Sequence, residues 1–84
     1  MYKFRIPKLG QSESDMQILE IMVKVGDRIK QEDPVVEIET EKASTVLESE
    51  ISGIVKEIFY NNNDYVKVGD VLLTIEEDNT DKLR

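Results

Sequence analysis

The sequence carries few residues capable of chemistry, and that scarcity directs attention to one of them. Among its 84 residues there is no cysteine and no histidine. Disulfide staples, thiolate or imidazole metal sites, cysteine nucleophiles and histidine-based acid, base or phosphocarrier mechanisms are therefore excluded. Most routes to independent catalysis go with them. Of the amines that are left, Lys42 stands apart by position. It lies in Glu39-Thr40-Glu41-Lys42-Ala43-Ser44, a short charged link between the apolar runs Val35-Val36-Glu37-Ile38-Glu39 and Thr45-Val46-Leu47. A hairpin with so short a link must reverse within about two residues, which puts Glu41 and Lys42 at its tip. Judged by residue type alone, Lys42 is an ordinary solubilising lysine at an exposed turn. The elements around it give it a more particular position.

Tyr2, Phe4 and Ile6 alternate with Lys3 and Arg5, the period of a half-buried strand, and Pro7 closes the run because it cannot donate to a ladder. Gly10 to Asp15 is small, polar and aperiodic, and reads as a loop before a second strand over Ile18 to Val23. Gly26-Asp27 is a turn and Arg28-Ile29-Lys30 a short strand; Glu32-Asp33-Pro34 then breaks the chain before the strand Val35 to Glu39. The second half repeats this order. With Glu57-Ile58 set under Glu20-Ile21, Asp64 falls under Asp27, Val66 under Ile29, Lys67 under Lys30, Asp70 under Asp33, Ile75 under Ile38 and Glu76 under Glu39, without a gap. Turn residues as well as apolar positions coincide, so this is an internal repeat and not a chance likeness between short strands. Neither half can bury a face alone, and the two are expected to pack with pseudo-twofold symmetry as an all-β flattened barrel or sandwich. Lys30 and Lys67 match between the halves as solvent-facing positions, whereas Lys42 occupies the junction. Its counterpart, Asn79, lies beyond the last strand, so the hairpin tip and the chain termini are expected at opposite ends. Residues 1–76 are expected to form one domain, and 77–84 a polar tail or the start of a linker.

The net charge of −7, from 18 acidic against 11 basic residues, argues against nucleic acid and points to basic protein surfaces as partners. No apolar stretch approaches the roughly 20 residues needed to cross a bilayer. Met-Tyr-Lys-Phe-Arg-Ile at the start lacks the apolar core of a secretory signal. The expectation is a soluble protein without a membrane partner, cytoplasmic or, in a eukaryote, in the mitochondrial matrix.

Four segments make a resemblance specific: Val25-Gly26-Asp27, Glu39-Thr40-Glu41-Lys42-Ala43, Gly53-Ile54-Val55 and Val68-Gly69-Asp70. In order and spacing they resemble the signature segments of lipoyl domains from the acyltransferase subunits of 2-oxo acid dehydrogenase complexes, over about Ile6 to Ile75. The resemblance implies a non-catalytic carrier, part of an acyltransferase subunit, with lipoate covalently attached to Lys42 between Glu41 and Ala43. It also implies the partners: a lipoate ligase or octanoyltransferase, a thiamine-diphosphate 2-oxo acid decarboxylase, the acyltransferase core and a flavin-containing dihydrolipoamide dehydrogenase. Such an arm would carry acyl groups and reducing equivalents between their active sites. Gly26, Gly53 and Gly69 are given a structural role, allowing positive dihedrals or close approach at turns.

Two other kinds of function compete with this one. Biotin carrier domains resemble the same fold, but their lysine usually sits between two methionines. Unmodified lipoyl-like interaction modules of membrane efflux adaptors are interrupted by a long helical insertion, whereas here the halves join directly through the lysine hairpin. The glycine-cleavage carrier is longer and has helices, and no helical period is evident in this chain. The chain departs from the family pattern at Glu41, where aspartate is usual, at Asp15-Met16, where Glu-Gly is common, and at Ile21, where an aromatic is common. The first of these keeps the charge and should permit attachment. The others fall in the loop expected over Gln11 to Met16 and just after it, a region that in the family helps a decarboxylase recognise its carrier. Pyruvate, 2-oxoglutarate, branched-chain and acetoin complexes all stay open as the parent.

Overall fold

A computed structural model describes residues 1–9 and 16–78. The described chain forms eight strands: β1 (Tyr2–Arg5), β2 (Met16–Ile21), β3 (Arg28–Ile29), β4 (Pro34–Glu39), β5 (Ser44–Glu48), β6 (Gly53–Ile58), β7 (Tyr65–Val66) and β8 (Val71–Glu77). They build two antiparallel four-stranded sheets, ordered β1-β8-β6-β3 and β5-β4-β2-β7. The second sheet carries the Lys42 hairpin and is called the hairpin sheet below; the other is the terminal sheet. The expected all-β sandwich of two related halves is the architecture found.

The internal repeat holds pair by pair. In the hairpin sheet Gln17 lies opposite Glu39, Ile18 opposite Ile38 and Glu20 opposite Glu37. In the terminal sheet Ile54 lies opposite Glu76, Val55 opposite Ile75 and Glu57 opposite Thr74. A bulge sits at the same step of each ladder, between Ile18 and Glu20 and between Val55 and Glu57. The short strands follow the same rule: Arg28 pairs with Ile54 and, in its counterpart, Tyr65 with Gln17. β5 on β4 and β1 on β8 complete the symmetry.

Four turns hold the halves in register, each closed twice by an aspartate. The Asp27 N–H donates to the Lys24 carbonyl at 3.0 Å, and the Asp27 carboxylate accepts from the Lys24 N–H at 2.9 Å. Asp33 with Lys30, Asp64 with Asn61 and Asp70 with Lys67 repeat both bonds. The third residue of each turn has positive φ, the pattern of a type II turn: Gly26 at 95°, Glu32 at 77°, Asn63 at 76° and Gly69 at 91°. Each half thus meets the left-handed requirement once with glycine and once with a side chain. The sequence expectation for Gly26 and Gly69 is met. Gly53 instead opens strand β6, away from any turn, where it permits close approach to β8.

Phe4, Ile6, Met16, Ile18, Ile29, Val36, Ile38, Val55, Val66, Leu73 and Ile75 fill the space between the sheets. Burial of such side chains contributes about 1.5–3 kcal/mol each before entropy is counted. Two polar residues are buried as well, Ser49, whose hydroxyl bonds to the Ile51 backbone, and Thr74. Thr74 is 7 % exposed, and its Oγ1 is buried with no hydrogen-bond partner. An unsatisfied buried hydroxyl costs about 1–3 kcal/mol. Thr74→Val, which keeps the branched shape, is therefore expected to stabilise the fold by about 1 kcal/mol, raising Tm by roughly 4–8 °C. Thermal unfolding followed by circular dichroism checks this, and an unchanged or lower Tm contradicts it.

Some expected boundaries shift. β2 runs from Met16 to Ile21, not Ile18 to Val23. Met16 is therefore not a loop residue: it is buried and pairs with Val66 of β7. The bulge at Leu19 breaks the alternation that would have shown this, and the apolar run alone does not fix which residues are in the strand. β1 ends at Arg5, because Ile6 instead exchanges backbone hydrogen bonds with the turn, donating to Asp70 and accepting from Gly69. Glu77 belongs to β8, and Asp78 is held by its N–H on the Ser52 carbonyl at 2.9 Å and by an ion pair with Arg28 at 2.9 Å. Strand β8 thus runs one residue past 76. The loop over Gly10 to Asp15, the position of Asn79 and the rest of the expected tail lie outside the described residues.

Candidate functional site

β4 and β5 position the site. At one end, Pro34 of β4 pairs with Glu48, while the Tyr2 hydroxyl reaches Glu50 at 3.3 Å and Asp78 bonds to Ser52. The start of the chain and the end of β8 meet there. β4 then runs six residues to Glu39, about 20 Å at the usual strand rise. The hairpin lies at that far end, away from Tyr2 and the end of β8.

The last ladder pair is Glu39 with Ser44. Beyond it the Thr40 N–H donates to the Ala43 carbonyl at 2.9 Å, leaving Glu41 and Lys42 at the apex. Neither has positive φ, so the reversal places no left-handed demand on the lysine. Thr40 pins the turn with its side chain as well. Its hydroxyl donates to the Ala43 carbonyl at 3.1 Å and accepts a long bond from the Lys42 N–H at 3.4 Å. This i to i+2 bond is the hydroxyl turn that Ser and Thr favour, and a threonine two residues before the tip was the available signal for it.

Glu41, Lys42 and Ala43 are all exposed. Among the described residues, Lys42 has no carboxylate within salt-bridge distance; the ion pairs there are Arg28–Asp78 and Lys56–Glu76. The Lys42 backbone is fixed while its amine is free to move. A primary amine presented in this way can be acylated without disturbing any contact of the fold.

Among the described residues there is no group of three His, Cys, Asp or Glu able to hold a metal ion. A groove of about 570 Å³ lies between the two crossing connections, lined by Ile21, Val23, Ile58, Tyr60, Asn62 and their neighbours. No carboxylate lines it. Tyr60 there has its hydroxyl pKa raised, first by burial and then by the nearby Asp70, which makes it a poorer proton donor and not an activated one. No helix among the described residues is long and apolar enough to cross a membrane.

Comparison with known proteins agrees with this geometry. The biotin/lipoyl family model, described as "Biotin-requiring enzyme", matches residues 2–75. The chain is 34% identical over 74 residues to the mouse mitochondrial lipoamide acyltransferase component of the branched-chain alpha-keto acid dehydrogenase complex, covering 88% of this chain and 15% of that protein. It is 32% identical over 77 residues to the Bacillus subtilis dihydrolipoyllysine-residue succinyltransferase component of the 2-oxoglutarate dehydrogenase complex, covering 92% of this chain and 18% of that protein. It spans, then, less than a fifth of the length of these relatives. In structure it is similar to the lipoyl domain of the 2-oxoglutarate dehydrogenase complex from Azotobacter vinelandii, with a TM-score of 0.76 at 27% identity, covering 92% of this chain and 98% of that one. With a family match over nearly the whole chain and a solved lipoyl domain that shares its fold over 92% of it, the chain belongs to the biotin/lipoyl carrier family, as a lipoyl domain.

Proposed function

We propose that Lys42 is the lipoate attachment residue and that the domain is a non-catalytic swinging-arm carrier within an acyltransferase subunit of a 2-oxo acid dehydrogenase complex. The observation that carries this is the Lys42 hairpin itself, a hydrogen-bonded two-residue apex that presents an amine with no ion pair among the described residues, at the end of the domain away from Tyr2 and the end of β8. The residues present fit the group. An amide needs a neutral amine able to attack an activated carboxyl, and no described side chain ties the Lys42 amine down. Once bound, lipoate would supply a dithiolane that carries acyl groups and reducing equivalents.

The remaining work is mechanical, and this chain's own residues do it. Thr40 and Ala43 fix where the arm begins. The lysine stem contributes four rotatable carbons, so the base stays in register while the far end explores. Tethering converts each delivery into an encounter at an effective concentration on the order of millimolar for a short flexible link. Amide formation removes one positive charge beside Glu39 and Glu41, so the modified tip is more acidic than the unmodified one.

The proposed partners follow from the role: a lipoate ligase or octanoyltransferase, a thiamine-diphosphate decarboxylase, the acyltransferase core and a dihydrolipoamide dehydrogenase. The relatives named above serve branched-chain and 2-oxoglutarate complexes alike. The choice of parent complex therefore rests on neither. Incubation with lipoate, ATP and a lipoate ligase is expected to add one lipoyl mass, read by intact-mass spectrometry. An unmodified mass would sink the proposal, and a biotin mass gained with a biotin ligase would move the domain to the biotin carriers.

A further inference from the structure

The two sheets are one scaffold used twice, so each serves as a control for what the other needs. Their outward faces differ in a way the fold does not demand. The strands of the terminal sheet contain Lys3, Arg5, Arg28 and Lys56. The strands of the hairpin sheet contain no lysine or arginine at all, yet carry Glu20, Glu37, Glu39 and Glu48.

Counterpart positions sharpen the contrast. Glu20 lies directly opposite Glu37, a like-charge cross-strand pair that is unfavourable in itself. The same pair in the terminal sheet is Glu57 opposite Thr74, beside Lys3 on β1. Where the terminal sheet has Arg28, the hairpin sheet has Tyr65, 63% exposed. Where it has Lys3, the hairpin sheet has Val46, 42% exposed and opposite Glu37. One outward face is thus electrically mixed. The other combines uncompensated acid with an exposed tyrosine and valine, and β4 runs from that face straight into the Lys42 turn.

We propose that this outward face of the hairpin sheet is the docking surface for the enzyme that modifies Lys42, and that the enzyme meets it with a basic surface around its active-site mouth. The inference rests on the Lys42 reading above. Tyr65 and Val46 supply the apolar contact and an aromatic anchor. The glutamates steer a cationic partner toward the end of the domain where the amine projects. The terminal sheet, with its charges balanced, takes no part.

The test uses initial rates of lipoylation of the intact domain by a lipoate ligase with lipoate and ATP. The triple variant Glu20→Gln, Glu37→Gln, Glu39→Gln is compared with the control Glu57→Gln, Glu76→Gln, Glu77→Gln, which changes the net charge equally. The first triple is expected to raise KM for the domain about tenfold, with kcat within about twofold, and to lose most of the wild-type sensitivity to added salt. The control triple is expected to stay within about twofold of wild type. Tyr65→Arg, which copies the residue of the other sheet, is expected to raise KM about fivefold and decides the matter should the first triple not fold. Wild-type KM in the hairpin-sheet triple or in Tyr65→Arg, or equal losses in both triples, overturns the proposal. A wild-type domain that gains no mass at all would instead be a failure of the Lys42 reading.

Discussion

Lys42→Arg is expected to abolish lipoylation completely while leaving the fold intact. Arginine keeps the length and charge of the side chain, but its guanidinium stays protonated throughout the accessible pH range and offers no amine lone pair to attack an activated carboxyl. The stability cost should be small, since the side chain is exposed and makes no ion pair among the described residues. Exposed substitutions of this kind usually fall within about 0.5 kcal/mol, or a few degrees in Tm for a domain of this size. The more demanding version moves the lysine by one residue. Exchanging Lys42 with Glu41 (Glu41→Lys with Lys42→Glu) or with Ala43 (Lys42→Ala with Ala43→Lys) keeps the composition and charge of the tip constant and changes where the amine starts. Neighbouring positions near a strand end point their side chains to different sides. If the apex geometry is what a ligase reads, both shifted variants should label at least about tenfold more slowly than wild type. Equal labelling of all three would mean that local composition suffices and the hairpin geometry is incidental.

The repeat was the most legible part of this protein, because its turns are chemically demanding. A turn closed by a short side-chain acceptor on its first N–H asks for an aspartate or asparagine at its last position, and here Asp27, Asp33, Asp64 and Asp70 recur at matching places and mark the symmetry. Lys42 was legible for a related reason: the link around it is too short to do anything but turn. What the sequence hid lies where local pattern and pairing diverge. The bulge beside Leu19 inserts a residue into β2 and erases the alternation, so Met16 read as loop although it is buried against the core. Thr40 gave no clear sign because a threonine beside glutamates looks like any polar turn residue until its hydroxyl is seen to bind the Lys42 N–H and the Ala43 carbonyl across the turn. The charge difference between the sheets was invisible as well. Net charge sums over the chain, while the contrast depends on which strands share a sheet.

Gly53→Ala is expected to be more damaging than alanine at Gly26 or Gly69. Gly53 is the counterpart of Met16, and the two halves differ here for a structural reason. In the hairpin sheet the β2–β4 ladder starts at Gln17 with Glu39, and the chain then leaves for the Lys42 turn, so Met16 has no partner on β4. In the terminal sheet β8 continues one residue further, and Gly53 pairs with Glu77. A Cβ on Gly53 would run into the Glu76 carbonyl oxygen and come within 2.8 Å of Ile75 Cγ2. The first obstacle is backbone held in the ladder and cannot swing aside. Overpacking of this kind costs about 3 kcal/mol, against a total of roughly 4–12 kcal/mol for a domain of this length. Gly26→Ala provides the comparison, because its φ of +95° makes alanine strained while nothing lies within 4 Å of the added carbon; that strain alone should cost about 1–2 kcal/mol. Urea unfolding of both variants separates the two effects. A Gly53→Ala variant no less stable than Gly26→Ala would show that β8 yields at Glu76, and that the end of this strand is held less firmly than the bonds of the following Asp78 to Ser52 and Arg28 indicate.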